Sequence, residues 1–221
     1  LYFEYPSSGF ALQVPQFEMN AGDTVFLQGH SGSGKSTFLN LLAGVLKPVQ
    51  GHVSLMGQRL DGLSASACDA LRVDHVGFIF QQFNLLPYLD VLDNVTLPCR
   101  FSKRRRQHAT AAGQSVEQAA ARLLDALGMG RHLKQAVNSL SVGQQQRVAA
   151  ARALIGQPDL IIADEPTSAL DTVHQDRFIQ LLMQQASEQN TAVLLVSHNP
   201  ALAGFCRQTL HMQAWQKETA R

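Results

Sequence analysis

Residues 24–46 read TVFLQGHSGSGKSTFLNLLAGVL. Its first five residues form an apolar run of buried-strand length. Gly29-His30-Ser31-Gly32-Ser33-Gly34-Lys35-Ser36 follows and satisfies the phosphate-loop spacing G-x-x-x-x-G-K-[ST]. Glycines let such a backbone curl until its N–H groups face one concavity, a shape that suits phosphate oxygens. Phe38, Leu39, Leu41, Leu42, Val45 and Leu46 then recur at helical spacing, with Pro48 as the expected stop. The start of that helix adds positive partial charge at the loop. Lys35 is placed to reach terminal phosphates and Ser36 to ligate Mg²⁺.

Outward from that stretch, LIIADE at 160–165 is an apolar strand ending in two carboxylates. Neighbouring strand residues point to opposite sides, so the two acids can do different work. Asp164 suits a Mg²⁺ shell, and Glu165 suits polarising an attacking water. Residues 1–28 carry turn signals at Pro6, Ser7, Ser8 and Gly9 and predict short antiparallel strands. Further strands are expected over 52–56 and 76–80. Residues 84–140 differ: a basic cluster (Lys103, Arg104, Arg105, Arg106) and helical periodicity over 116–127 predict a helical subdomain. From 141 the order is helix, strand (160–163), helix (172–187), strand (192–196), which argues for a largely parallel sheet covered by helices. The tail from His211 is polar and carries no structural signal.

Of the 221 residues, 45% are hydrophobic, enough for a sizeable core, so a disordered or fibrous chain is excluded. The net charge of +1 gives nucleic acid no electrostatic footing as a partner. Cys68, Cys99 and Cys206 stand far apart without a CxxC pair, against a disulfide framework or zinc site and in keeping with a reducing compartment. No apolar run approaches the ~18 residues of a membrane span. The opening LYFEYPSSGF lacks the basic start and apolar stretch of a signal peptide. Without an initiator Met, the chain is expected to begin inside a longer product, with a strand missing before it.

Leu140-Ser141-Val142-Gly143-Gln144-Gln145-Gln146-Arg147 makes the reading more specific. Ser141 can cap a helix running to Leu154, and Gln144 completes a capping-box pattern. The free N–H groups at that end form an anion site. The octapeptide resembles the LSGGQ signature of ATP-binding cassette (ABC) ATPases. With the phosphate loop, the acidic pair, Ser168-Ala169-Leu170-Asp171 and Ser197-His198, the resemblance spans nearly the whole chain in the expected order. It implies one ABC ATPase domain over 1–221, α/β in class. The expected parts are a P-loop NTPase (RecA-like) core with an N-terminal antiparallel β subdomain (1–83 and 156–221) and an inserted helical subdomain (84–155).

The resemblance also implies site roles. Gly29, Ser31, Gly32, Ser33, Gly34, Lys35, Ser36 and Thr37 would hold ATP. Gln81, directly after a strand, matches the family's glutamine loop and, with Ser36 and Asp164, would serve Mg²⁺; its neighbour Gln82 competes. Glu165, His198 and Gln81 would form the catalytic set, His198 as the switch histidine on the γ-phosphate. Tyr5 matches the aromatic that stacks on adenine, with Tyr2 and Phe3 as competitors. Ser141, Gly143, Gln144 and Asp171 would act across a dimer interface on the partner's nucleotide. Val142 stands where the family usually has Gly, and a β-branched residue there can alter helix packing or phosphate approach.

FQQFNLLP at 80–87 and VLDNV at 91–95 resemble the lipoprotein-release and macrolide-export branch. That branch implies a second ATPase subunit, a separately encoded FtsX-like permease, periplasmic or outer-membrane components, and a peripheral position on the cytoplasmic face of the bacterial inner membrane. Residues 83–89 read equally as a docking surface for the permease or as core. The basic cluster reads as a solvated loop, with anionic lipid as its alternative. Two rival functions stand beside the transport ATPase. Val142 motivates a nucleotide-gated regulatory or clamp module with weak hydrolysis. A cassette of DNA repair or translation would need long coiled-coil insertions or a second cassette, and the sequence has neither.

Overall fold

The computed structural model describes residues 1–6, 9–168 and 170–218. Ser7 and Ser8, read as turn residues, and Ala169, read in the loop before Asp171, lie outside the described residues. The chain opens with β1 (Tyr2–Glu4), β2 (Phe10–Gln13) and β3 (Thr24–Gln28), then α1 (Lys35–Leu42). The hairpin strands β4 (Ser54–Leu55) and β5 (Gln58–Arg59) lead to α2 (Ala65–His75) and β6 (Val76–Ile79). Four helices follow: α3 (Val91–Phe101), α4 (Lys103–Thr110), α5 (Val116–Ala126) and α6 (Val142–Leu154). The last elements are β7 (Leu160–Asp164), α7 (Thr172–Glu188), β8 (Ala192–Ser197), β9 (Gln208–His211) and β10 (Gln216–Glu218).

Five strands form one parallel sheet in the order β6-β7-β8-β3-β9. Its strands alternate between two cores, as a period of two requires. Phe26, Ile79, Ile161, Ala163, Val193 and Leu195 pack with α3, α5, α6 and α7. Val25, Leu27, Ile162, Leu194 and Val196 pack with α1, Phe3, Leu12 and Trp215 on the other side. Burying each such large side chain stabilises by about 1.5–3 kcal/mol. A second sheet, antiparallel and ordered β1-β2-β10, lies at the outer edge of this second core. Both faces of the parallel sheet are covered, which is why its strands read as nearly continuous apolar runs.

Four local readings are corrected. The helix after the phosphate loop stops at Leu42, not near Pro48, because Gly44 takes a left-handed φ of 66° just past the Ala43 cap. The strand expected over 52–56 is only Ser54–Leu55 and belongs to the small hairpin. The polar tail contributes β10, which pairs with β2 through Gln216↔Leu12, Lys217↔Ala11 and Glu218↔Phe10. The basic cluster is helical, in α4, rather than a solvated loop. Arg104 bridges Asp159 at 3.0 Å, Arg105 donates to the carbonyls of Ala153 and Ile155, and Arg106 donates to the Cys99 carbonyl at 3.0 Å.

Candidate active site

The site gathers at the carboxyl ends of the parallel strands, where a helix-covered sheet leaves its crevice open. The phosphate loop leaves β3, Asp164 ends β7, Ser197 ends β8, and Gln81 follows β6 closely. The phosphate loop, Asp164, Gln81 and His198, the residue after Ser197, border a cavity of about 870 Å³. Its walls include Tyr5, residues 30–37, Gln81, Asp164, Glu165 and His198. Gly29 is not among the wall residues; its carbonyl accepts from Lys35 Nζ at 2.6 Å.

Gly34 caps α1 at φ 89°, a conformation that favours glycine, and a Cβ there would run into the Phe10 ring. Among the described residues no side chain caps α1, so its first-turn N–H groups face the cavity without a capping acceptor. Ser33 Oγ is buried and has no protein partner among the described residues. Lys35 is held by the loop's own carbonyls and by Glu165 Oε1 at 3.2 Å. These are the properties of a cradle for a polyphosphate: uncapped donors, one cation and one orphaned hydroxyl.

Glu165 stands at φ 46°, a left-handed position that costs a non-glycine residue about 1–3 kcal/mol. Three bonds hold it there. Its N–H donates to the Val196 carbonyl at 2.8 Å, while Oε2 accepts from Ser197 Oγ at 3.0 Å and lies 2.9 Å from His198 Nδ1. The residue is 8% exposed, so this carboxylate is fixed and largely shielded. Burial pushes the Asp164 carboxyl above its ordinary value; adjacent Glu165 adds to the shift and Lys35 opposes it. A cation arriving at Asp164 would relieve that penalty.

No group of three or more His, Cys, Asp or Glu among the described residues could hold a metal on its own. The Ser36 hydroxyl, the Gln81 amide and Asp164 border the same cavity. That oxygen-donor set fits Mg²⁺ bound jointly with phosphate oxygens, which is how the ion usually binds.

Other expected residues lie outside this cavity. Ser141 caps α6 and forms a complete capping box with Gln144. Val142 begins α6, 46% exposed, and leaves the box intact. Gly143 lies against Leu170, so the α6 N-terminus and the loop before Asp171 share one region of the surface. Asp171 caps α7 and bonds His174 at 2.7 Å.

Tyr5 is on the wall, its hydroxyl 3.4 Å from Thr37 Oγ1. Of its competitors, Phe3 is buried under the Tyr5 ring, edge on at 4.8 Å, and Tyr2 bonds Glu4 instead. Sequence reasoning missed two groups. Phe10 lines the cavity 6.2 Å from Tyr5, and Ser197 Oγ holds Glu165. Phe10 had no signal beyond its place in a strand. Ser197 was visible only as the residue before His198.

A second cavity of about 600 Å³ shares Ser36 and Asp164 with the first. Its walls include Phe78, Phe80, Leu97, Pro98 and Phe101, the last 74% exposed. Residues 83–89 divide between the two readings: Phe83 is buried, while Tyr88 is 77% exposed.

The family pattern described as ABC transporter matches residues 12–168. The chain is 43% identical over 187 residues to the lipoprotein-releasing system ATP-binding protein LolD of Hydrogenovibrio crunogenus, covering 85% of this chain and 78% of that one. A solved dimeric bacterial ABC transporter cassette aligns at TM-score 0.79 and 34% identity, covering 100% of this chain and 97% of that one. A dimeric post-hydrolysis cassette bound to ADP and Pi aligns at TM-score 0.75 and 38% identity, over 88% of this chain and 83% of that one. Among the described residues, no helix is long and apolar enough to cross a membrane.

Proposed function

The chain belongs to the ABC transporter family, and from that membership we propose that it is the ATP-binding and ATP-hydrolysing subunit of a bacterial transport complex. One observation carries the reading. A single cavity joins the uncapped phosphate loop to a shielded carboxylate, Glu165, that is already bonded to Lys35 and His198. Gly29, Ser31, Gly32, Ser33, Gly34, Lys35, Ser36 and Thr37 hold the phosphates of ATP, and Tyr5 stacks on the base. The triphosphate offers Lys35 a stronger anion than the carboxylate it pairs with, which frees Glu165 to polarise water. His198 positions the γ-phosphate and Gln81 the attacking water. Mg²⁺, when bound through Ser36, Asp164 and Gln81, would neutralise phosphate charge.

Ser141, Gly143, Gln144 and Asp171 lie away from this chain's own cavity. We assign them to the nucleotide of a second copy, so that two chains close around two ATP. The helical subdomain (84–155) and the core (1–83 and 156–221) are the moving parts of that closure. The apolar cavity at Phe80 and Phe101 supports a partner in the membrane. The branch resemblance makes that partner an FtsX-like permease with periplasmic or outer-membrane components, reached from the cytoplasmic face of the inner membrane. The regulatory-clamp reading gains nothing from the structure, because Val142 is half exposed and does not disturb the capping box.

Glu165→Gln tests the reading. The variant should bind ATP, elute as a dimer only with ATP, and release phosphate at least about 100-fold more slowly. A variant that stays monomeric with ATP bound would sink the dimeric reading.

A further inference from the structure

Arg152 lies in the last turn of α6, and its guanidinium fork closes on the segment that carries Gln81. One arm donates to the Phe83 carbonyl at 2.5 Å and the other to the Asn84 carbonyl at 2.6 Å. Those two residues are themselves unusual. Phe83 stands at φ 58° and Asn84 at φ 49°, consecutive left-handed positions without a glycine. Such positions are strained and persist only where their surroundings hold them. A planar fork with two parallel N–H donors suits two adjacent carbonyls, and a lysine ammonium has no such geometry.

The segment is clamped again just beyond. Asn94, fully buried on α3, accepts from the Leu86 N–H at 2.8 Å and donates to the Leu86 and Asp90 carbonyls. On the other side it is continuous with β6 in the parallel sheet. Gly77 in β6 permits the closeness of the two elements, because a Cβ there would meet the Ala153 carbonyl of α6. Phe80, Gln81 and Gln82 are the exposed residues between β6 and the clamped Phe83. The place of Gln81 on the cavity wall therefore depends on how α6 holds the turn that follows it.

α6 is the helix whose other end carries Ser141 and Gly143. Arg105, from α4, donates to the Ala153 and Ile155 carbonyls at the end of that same turn and secures it. One helix thus presents its capped N-terminus on the surface and grips the Gln81 segment at its C-terminus.

We propose that Arg152 is a positioning residue for hydrolysis: it fixes Gln81 in the nucleotide cavity and ties that position to helix α6. This rests on the ATPase reading above. The link is mechanical and local. When α6 shifts relative to β6, two carbonyls just beyond Gln81 must follow the guanidinium.

The test is a double-mutant cycle on the full chain with Arg152→Ala, Gln81→Ala and the pair, read by steady-state ATP turnover. Hydrogen exchange of residues 80–86 in the nucleotide-free protein is the second readout. Arg152→Ala should lower kcat about tenfold while KM for ATP stays within about twofold, the pattern of a lost transition-state contact. The pair should be no slower than Gln81→Ala alone, because coupled residues are non-additive. Amides at 82–85 should exchange faster while β6 and α6 keep their protection. Arg152→Lys keeps the charge without the fork, should recover only part of kcat, and serves in the cycle if the alanine variant does not fold. Losses that multiply in the pair would overturn the proposal. So would exchange that rises equally through β6 and α6, which is what a residue serving only the fold would give. A wild-type chain that binds ATP without turnover would overturn the ATPase reading and this role with it, and the wild-type control separates that failure from an additive cycle.

Discussion

Asp164 and Glu165 are adjacent in sequence and stand in opposite electrostatic situations. Glu165 has Lys35 at 3.2 Å and donors on its other oxygen. Asp164 has burial and a neighbouring carboxylate, and its pKa is raised. Its charge therefore destabilises the nucleotide-free fold at neutral pH. The sign follows from linkage: a carboxyl with a raised folded pKa favours folding only below its unfolded value, and that advantage is lost as pH rises through the folded pKa. Asp164→Asn should raise the Tm of the nucleotide-free protein by about 2–4 °C per kcal/mol recovered. The gain should be largest near pH 7 and vanish only as pH falls below about 3, where the wild-type side chain is protonated in both states. The same variant should lose Mg²⁺-dependent turnover. Thermal melts against pH, with and without Mg·ATP, check all three. At this scale the sequence was most readable where the chemistry is local: a phosphate loop needs its glycines, lysine and serine at fixed spacing. Phe10 and Ser197 were harder, because one packs on Gly34 from 24 residues earlier and the other meets Glu165 from 32 residues later.

Among the elements, two capping boxes offer a controlled comparison. Ser115 with Gln118 caps α5, and Ser141 with Gln144 caps α6, with the same pair of bonds in each. Ser→Ala at either site should cost about 1 kcal/mol and lower Tm by a similar few degrees. Turnover should fall only for Ser141→Ala, since only that helix end is assigned to the partner's phosphate. Equal turnover in the two variants would remove the signature role. The basic cluster shows where element-scale reading fails. A run of four cations is normally a solvated face, and nothing within 103–106 distinguishes Arg105 from its neighbours. What selects it is the phase of α4, which turns Arg105 inward to 3% exposure against the last carbonyls of α6. Burial lowers its pKa to about 10, still well above neutrality, so it remains a cation at a helix C-terminus. Arg105→Ala should lose at least about 2 kcal/mol, the worth of charge-assisted bonds left unmade. Lys103→Ala, on the exposed face of α4, should stay within about 0.5 kcal/mol in the same denaturant titration.

For the whole molecule, element type was legible and arrangement was not. Alternating strands and helices announce a parallel sheet, but the order β6-β7-β8-β3-β9 joins strands far apart in sequence, and no local period encodes such pairings. β10 was invisible for a related reason. It sits at the rim of a three-stranded sheet, where a Gln-Lys-Glu strand needs no apolar face. The arrangement nevertheless decides function, because it sets the two cavities back to back with Ser36 and Asp164 in the wall of each. A partner that fills the apolar cavity would thus press on two residues of the nucleotide cavity. Phe101 is the natural point of entry: it is large, apolar and 74% exposed in the protein alone, an exposure that suits a surface awaiting cover. Phe101→Asp would place a charge where the partner must desolvate it, at a cost that protein data put at several kcal/mol. Co-purification with a permease from detergent-solubilised membranes should therefore be lost in the Phe101→Asp, Glu165→Gln double variant, while ATP still drives it into a dimer. Retention of the permease by that double variant would move the docking surface elsewhere and leave the second cavity without its proposed occupant.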